Sequence, residues 1–166
     1  MKKLNKLPDE VVSLLLQRLK DEFNAYYFYR SVSNWCKNVG FFKAGEYFAN
    51  ESSDELTHAK KIEDFLVDWN ITPDLPIIGK PIVKFDSLIS VIEKSYDIEY
   101  ALYEDYEDTS ARIFKMGDLC TFDFLEEFRT IQRVSVAEYS DMINLLTGVN
   151  TADKFQMLLL EEKLFS

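Results

Sequence analysis

Glycine and proline interrupt helices, and this chain carries only five glycines and four prolines, placed where they divide it. Pro8 with Asp9 and Glu10 marks a helix start, because proline fits the first turn and acids favour the positive end of the helix dipole. Positions then recur at sevens, Leu15, Glu22, Tyr29 and Cys36, which is one helical stripe. Gly40 ends that helix, predicted over residues 9–38. A second is predicted over 42–69, with Phe48, Glu55, Ile62 and Trp69 again at sevens. The segment NITPDLPIIGKPIVKF, roughly 16 residues holding Pro73, Pro76, Gly79 and Pro81, is longer than a tight helix–helix turn needs. A third helix starts at the Asp86/Ser87 cap and covers 87–116. Gly117 separates it from a fourth over 121–146, stopped by Gly148, and a short fifth covers 151–164. The four long helices match at about 26–30 residues each, or ~40 Å at 1.5 Å per residue.

No strand-period alternation, repeat or low-complexity tract interrupts this pattern. The 166 residues, 47% hydrophobic, suffice for a single domain over 1–166 with a substantial core. The expected fold is all-α: a four-helix bundle with one long crossover and a short fifth helix. A formal net charge of −10 argues against nucleic acid and anionic membranes as partners and suits a protein that handles cations. No apolar run approaches the ~20 residues of a membrane span. The start, MKKLNKLPDEVV, lacks the apolar segment of a secretory signal. Cys36 and Cys120 match no zinc or redox spacing and read as free thiols of a reducing cytoplasm.

Chemistry enters with the only histidine. His58 follows Glu55 by three residues, which places a carboxylate and an imidazole one turn apart on one helix face, able to reach one metal ion between packed helices. A lone pair of this kind is common on helices and proves nothing alone. The other helices add to it. Glu22 lies in the apolar and aromatic stretch DEFNAYYFYRSVSNWC, Glu99 in SYDIEYALYEDY, and Gln132 between Phe128 and Ser135 on one stripe. Each bundle helix therefore offers a polar residue near its middle. Carboxylate oxygens with an imidazole form the mixed N/O shell that suits iron.

On these motifs the chain resembles the ferritins across essentially its whole length. The residues that carry the resemblance are Glu22, Tyr29 and Trp35-Cys36 on the first helix, Glu55-Leu-Thr-His58-Ala59 on the second, and TFDFLEEFRTIQ leading to Gln132. The resemblance implies a dinuclear iron centre inside the bundle. Glu22, Glu55 and His58 would hold the first iron, Glu55 bridging, while Glu55 and Glu99 would hold the second with Gln132 nearby and Tyr29 beside the centre. It further implies oxidation of Fe(II) by dioxygen, storage of the ferric mineral, a 24-subunit homo-oligomeric cage and a cytoplasmic location.

Departures from the family refine this. Fourth-helix positions where many bacterial ferritins carry further glutamates read Ile131, Val134 and Ser135, so no ordinary third site is expected and the centre looks closer to the animal heavy-chain type. Inner-surface carboxylates of that type fall at Thr57 and Lys60, which leaves Asp54 as a nucleation candidate. One histidine cannot supply the two Glu-x-x-His pairs of bacterioferritins and rubrerythrins, and Leu56 stands where a haem methionine would follow Glu55. No haem is expected. Asp118, Asp123, Glu126 and Glu127 occupy the region where ferritins line a three-fold cation channel, although acids at a helix start serve equally well as a solvated face. The run MLLL near the end is packing for a four-fold contact. A non-catalytic shell subunit and a mini-ferritin-type peroxidase are the alternative readings of the same residues.

Overall fold

The computed structural model describes residues 7–166; the lysine-bearing start at 1–6, part of the segment read above as lacking a signal sequence, lies outside the described residues. Among the described residues every regular element is a helix: α1 (Asp9–Val39), α2 (Phe42–Asp68), α3 (Leu88–Lys115), α4 (Leu119–Phe124), α5 (Glu126–Leu146) and α6 (Lys154–Leu164). None of them is long and apolar enough to cross a membrane. α1 packs chiefly on α2 and α3 on α5, with α1 also meeting α3. The segment between α2 and α3 makes the long crossover. The expected four-helix bundle with a short terminal helix is what these sequences form.

Local chemistry explains the joints. Gly40 takes a left-handed conformation (φ 94°), which lets the Phe41 N–H reach back to the Cys36 carbonyl at 2.8 Å and close α1. Gly45 sits inside a helix for a different reason. A Cβ there would stand 2.5 Å from Lys37 Cγ, and its carbonyl accepts the Ser33 hydroxyl at 2.6 Å, so the missing side chain allows α1 and α2 to approach closely. α3 begins on a capping box in which Ser87 and Ser90 bond each other's backbone N–H.

The fourth long helix differs from the expected 121–146. It is interrupted at Leu125, dividing α4 from α5, and begins earlier because Asp118 caps it by accepting from Thr121 N at 3.1 Å. The Phe122 carbonyl near the break accepts the Arg129 guanidinium at 3.3 Å, and that guanidinium also donates to Ser110 at 2.8 Å and lies 4.4 Å from the Phe122 ring centroid. A side-chain donor thus takes a place that the backbone ladder would otherwise fill. The last helix begins at Lys154 rather than 151, since Asp153 is the cap and accepts from Phe155 N and Gln156 N.

α2 has no side-chain cap of its own and no acid in its first turn. The missing partner comes from α6: the buried Glu161 carboxylate accepts the Ala44 N–H at 3.0 Å. A carboxylate at a helix N-terminus satisfies an orphan donor and opposes the positive end of the dipole. Glu161→Ala is expected to cost about 1–2 kcal/mol, or a melting temperature lowered by roughly 3–6 °C, while Glu161→Gln costs less because it can still accept. Thermal unfolding of the three proteins checks this, and equal melting points would remove the cap from the account.

The core is divided. One apolar cluster gathers Phe28, Tyr29, Val32, Phe48, Ile92, Tyr139 and Met142, and another gathers Leu15, Leu19, Ile62, Leu66, Tyr106, Ile113 and Phe128. Between them along α1, α2 and α5 lie Glu22, Glu55, His58 and Gln132, and Glu99 on α3 joins them, all buried. A polar layer across the middle of a bundle is costly unless something compensates it.

Candidate metal centre

Three side chains of that layer converge. Ligand atoms of Glu22, Glu55 and His58 all lie within 4.8 Å of one another. The His58 Nδ1 is 3.3 Å from Glu55 Oε2 and 3.4 Å from Glu22 Oε2. These are ordinary spacings for groups that face one small cation. The His58 ring also meets the edge of Phe128 at 6.0 Å between centroids, which fixes its orientation from α5.

Glu99 closes the layer from α3, and tyrosines hold both acids by a reciprocal exchange. Tyr29 on α1 donates to Glu99 on α3, and Tyr106 on α3 donates to Glu22 on α1. Each tyrosine lies seven residues after the acid of its own helix and serves the acid of the other. One oxygen of each acid is thereby committed, while Glu22 Oε2 and Glu99 Oε2 accept no hydrogen bond. Gln132, 1% exposed, also keeps its Oε1 unpartnered. Buried oxygens without donors are rare in native proteins and call for an explanation such as an ion.

Electrostatics agree. Burial pushes the Glu55 carboxyl well above its ordinary range, and the neighbouring Glu22 and Glu99 carboxylates add to the rise. Glu99 is pushed up to about 8, by burial first, against the Tyr29 hydrogen bond and with Glu51, Glu22 and Glu138 raising it further. Tyr29 and Tyr106 are raised well above ordinary phenols, mainly by burial and then by the acids they serve. The metal-free layer therefore retains protons that a divalent cation would displace.

All six residues singled out in the sequence, Glu22, Tyr29, Glu55, His58, Glu99 and Gln132, are buried in this layer. Sequence reasoning missed Tyr106, Tyr139 and Glu51. The signal was available, since Tyr106 follows Glu99 by seven, Tyr139 follows Gln132 by seven, and Glu51 precedes Glu55 by one turn. The channel candidates separate: Asp118 is spent on capping α4, Glu127 pairs with Lys61, and Asp123 and Glu126 are exposed. Cys36 is buried, with its thiol pushed up to about 12 by burial, and Cys120 is exposed, both unbonded.

The family model of the ferritin-like domain matches residues 12–149, most of the chain. The chain belongs to the ferritin-like domain family. It is similar to the bacterial non-heme ferritin of Campylobacter jejuni, 29% identical over 156 residues that cover 90% of this chain and 93% of the relative. It is 21% identical to a bacterial non-heme ferritin of Escherichia coli O157:H7 over 85% of this chain and 86% of the relative. In fold it resembles an open-pore ferritin from the hyperthermophilic archaeon Archaeoglobus fulgidus, with a TM-score of 0.90, 21% identity and coverage of 96% of this chain and 98% of that one. The match thus spans nearly the whole bundle, and the buried Glu22, Glu55, His58 and Glu99 all lie within this one ferritin-like chain.

Proposed function

We propose that the protein is an iron-storage ferritin subunit with ferroxidase activity, acting on Fe(II) with dioxygen as the electron acceptor. The observation that carries the reading is the buried convergence of Glu22, Glu55 and His58 with the unpartnered oxygen of Glu99 beside it. Glu22, Glu55 and His58 bind the first Fe(II). Glu55 bridges to a second ion that takes Glu99, with Gln132 as a neutral neighbour. Each Fe(II) gives up one electron to dioxygen, and the ferric product moves to storage. Hard carboxylate oxygens favour the ferric product over the ferrous substrate, which assists the oxidation. Tyr29 fixes Glu99 and is the aromatic group next to the redox step.

Assembly into a 24-subunit cage fits the exposed apolar side chains that one bundle leaves uncovered. Ile77, Ile82 and Val83 in the crossover and Phe155 and Leu159 on α6 are more than half exposed. Exposed apolar side chains gathered in these two segments support subunit contact there. A cytoplasmic location belongs to the same reading. A shell subunit without catalysis remains the second reading, favoured by one observation: the second position has neutral Gln132 and a half-buried Ser135 on α5 where charge would strengthen it. The mini-ferritin alternative is disfavoured because the convergent ligands all come from one chain.

Two measurements test the proposal. Aerobic Fe(II) addition is expected to give rapid ferric absorbance with two irons consumed per subunit in the first phase. An iron-soaked crystal is expected to show anomalous density among Glu22, Glu55, His58 and Glu99. Density confined to surface acids would reject the centre, and bound iron without accelerated oxidation would leave the shell-subunit reading.

A further inference from the structure

Outside the six residues already discussed, one carboxylate stands next to the centre without a role. Glu51 lies on α2 one turn before Glu55, so Glu51, Glu55 and His58 share a face at i, i+4 and i+7. It is half-buried, and its Oε2 accepts the hydroxyl of the fully buried Tyr139 at 3.2 Å. The Tyr139 ring stacks on Tyr29, 6.4 Å between centroids and 4° from parallel, and Tyr29 donates to Glu99. Two stacked tyrosines therefore present two carboxylates, Glu51 from α2 and Glu99 from α3, on the side of the centre away from Tyr106.

Glu99 supplies the independent sign of a ligand. It is 1% exposed and its Oε2 has no hydrogen-bond partner. On α2, Glu51 is followed by the exposed Asp54 at i+3 and by His58 at i+7, so the same helix carries it towards both the surface and the centre. The fourth helix, by contrast, presents Gln132, Ser135 and Tyr139 as its buried and half-buried groups here, and its one nearby acid, Glu138, is exposed.

We propose that Glu51 is a further metal ligand, which with Glu99 binds a divalent cation on the Tyr139 side of the centre and supplies the buried charge that α5 does not offer at Gln132 and Ser135. The proposal rests on the centre holding metal as described above. Tyr139 donates to Glu51 in this structure; to bind the cation the carboxylate would turn from the phenol, a rotamer change open to a half-buried side chain. Because Glu51 is the one carboxylate of the group that reaches solvent, it also passes the cation between the buried layer and the surface acids Asp54 and Glu138. Two carboxylates in this arrangement suit a hard or borderline first-row divalent ion.

Zinc, which is redox-inert, is the probe. Crystals of the wild type, Glu51→Gln and Tyr139→Phe are soaked in Zn(II) and measured at the zinc edge, with Zn(II) titration calorimetry in solution. In the wild type, zinc is expected within Glu22, Glu55 and His58, and a second zinc with Glu51 and Glu99 oxygens at about 2.0–2.2 Å. Glu51→Gln is expected to weaken the second zinc by about tenfold or more and to leave the first, since charge count sets affinity for such ions. Tyr139→Phe frees Glu51 and is expected to keep the second zinc. A second zinc bound while Glu51 stays on Tyr139, unchanged occupancy in Glu51→Gln, or equal loss in Tyr139→Phe would each overturn the proposal. Zinc missing from Glu22, Glu55 and His58 in the wild type would instead overturn the centre itself.

Discussion

Glu55→Gln is expected to lower metal affinity at the centre by about two orders of magnitude or more and to abolish rapid Fe(II) oxidation, while the bundle stays folded. Glu55 is the hub of the layer. Its Oε2 is 3.3 Å from His58 Nδ1, its carboxyl meets Glu22, and Glu99 acts on it across the centre. In the proposed arrangement it is the one ligand common to both ions, so its neutralisation takes charge from two positions at once. Removing one partner of a buried charged group costs roughly 3–5 kcal/mol in comparable settings, and each 1.4 kcal/mol is tenfold in affinity. Glutamine keeps the shape, so packing between Ser52 and Ala59 is undisturbed. Anaerobic titration with Fe(II) or Zn(II), alongside aerobic ferric absorbance, measures both effects. Affinity and rate near those of the wild type would show that Glu55 does not bridge.

The helical plan was readable because glycines, prolines and seven-residue stripes report backbone directly. The site was readable in part because a carboxylate or imidazole in the middle of an apolar stripe is anomalous, and Glu22, Glu55 and Glu99 are such anomalies. Tyr106 and Tyr139 escaped notice for the opposite reason. A tyrosine on an apolar stripe looks like core, and both are core; only the three-dimensional pairing shows that their hydroxyls are spent on Glu22 and Glu51. Glu51 reads as a solvated residue in ESSDELTH, since nothing local says that a tyrosine eighty-eight positions later will claim it. The break at Leu125 was hidden too, because Arg129 satisfies the backbone there from within the same helix and no glycine or proline marks the place.

Stability of the metal-free protein is expected to fall as pH rises from about 5 to 8, the reverse of ordinary acid denaturation. The buried acids set the sign. Glu99 holds its proton in the folded state up to about 8, Glu51 to about 7, and Glu55 is raised as well, against about 4.5 for a free glutamate. Between those limits the folded chain binds more protons than the unfolded one, so the unfolding free energy declines with pH. The contribution is complete below about pH 4.5 and lost as pH passes through the folded values. Glu99 alone accounts for on the order of 3–4 kcal/mol over this range. Glu99→Gln removes the titration while leaving Tyr29 an acceptor. Its melting temperature in chelator is therefore expected to exceed that of the wild type by roughly 6–12 °C at pH 8 and to match it near pH 5. A divalent cation reverses the order at pH 8, because it binds the ionised wild type and displaces the protons. Thermal melts at four pH values, with chelator and with Zn(II), read all of this together. A wild-type melting point in chelator that does not fall between pH 5 and 8, and that tracks Glu99→Gln throughout, would show that these acids are already ionised in the folded protein.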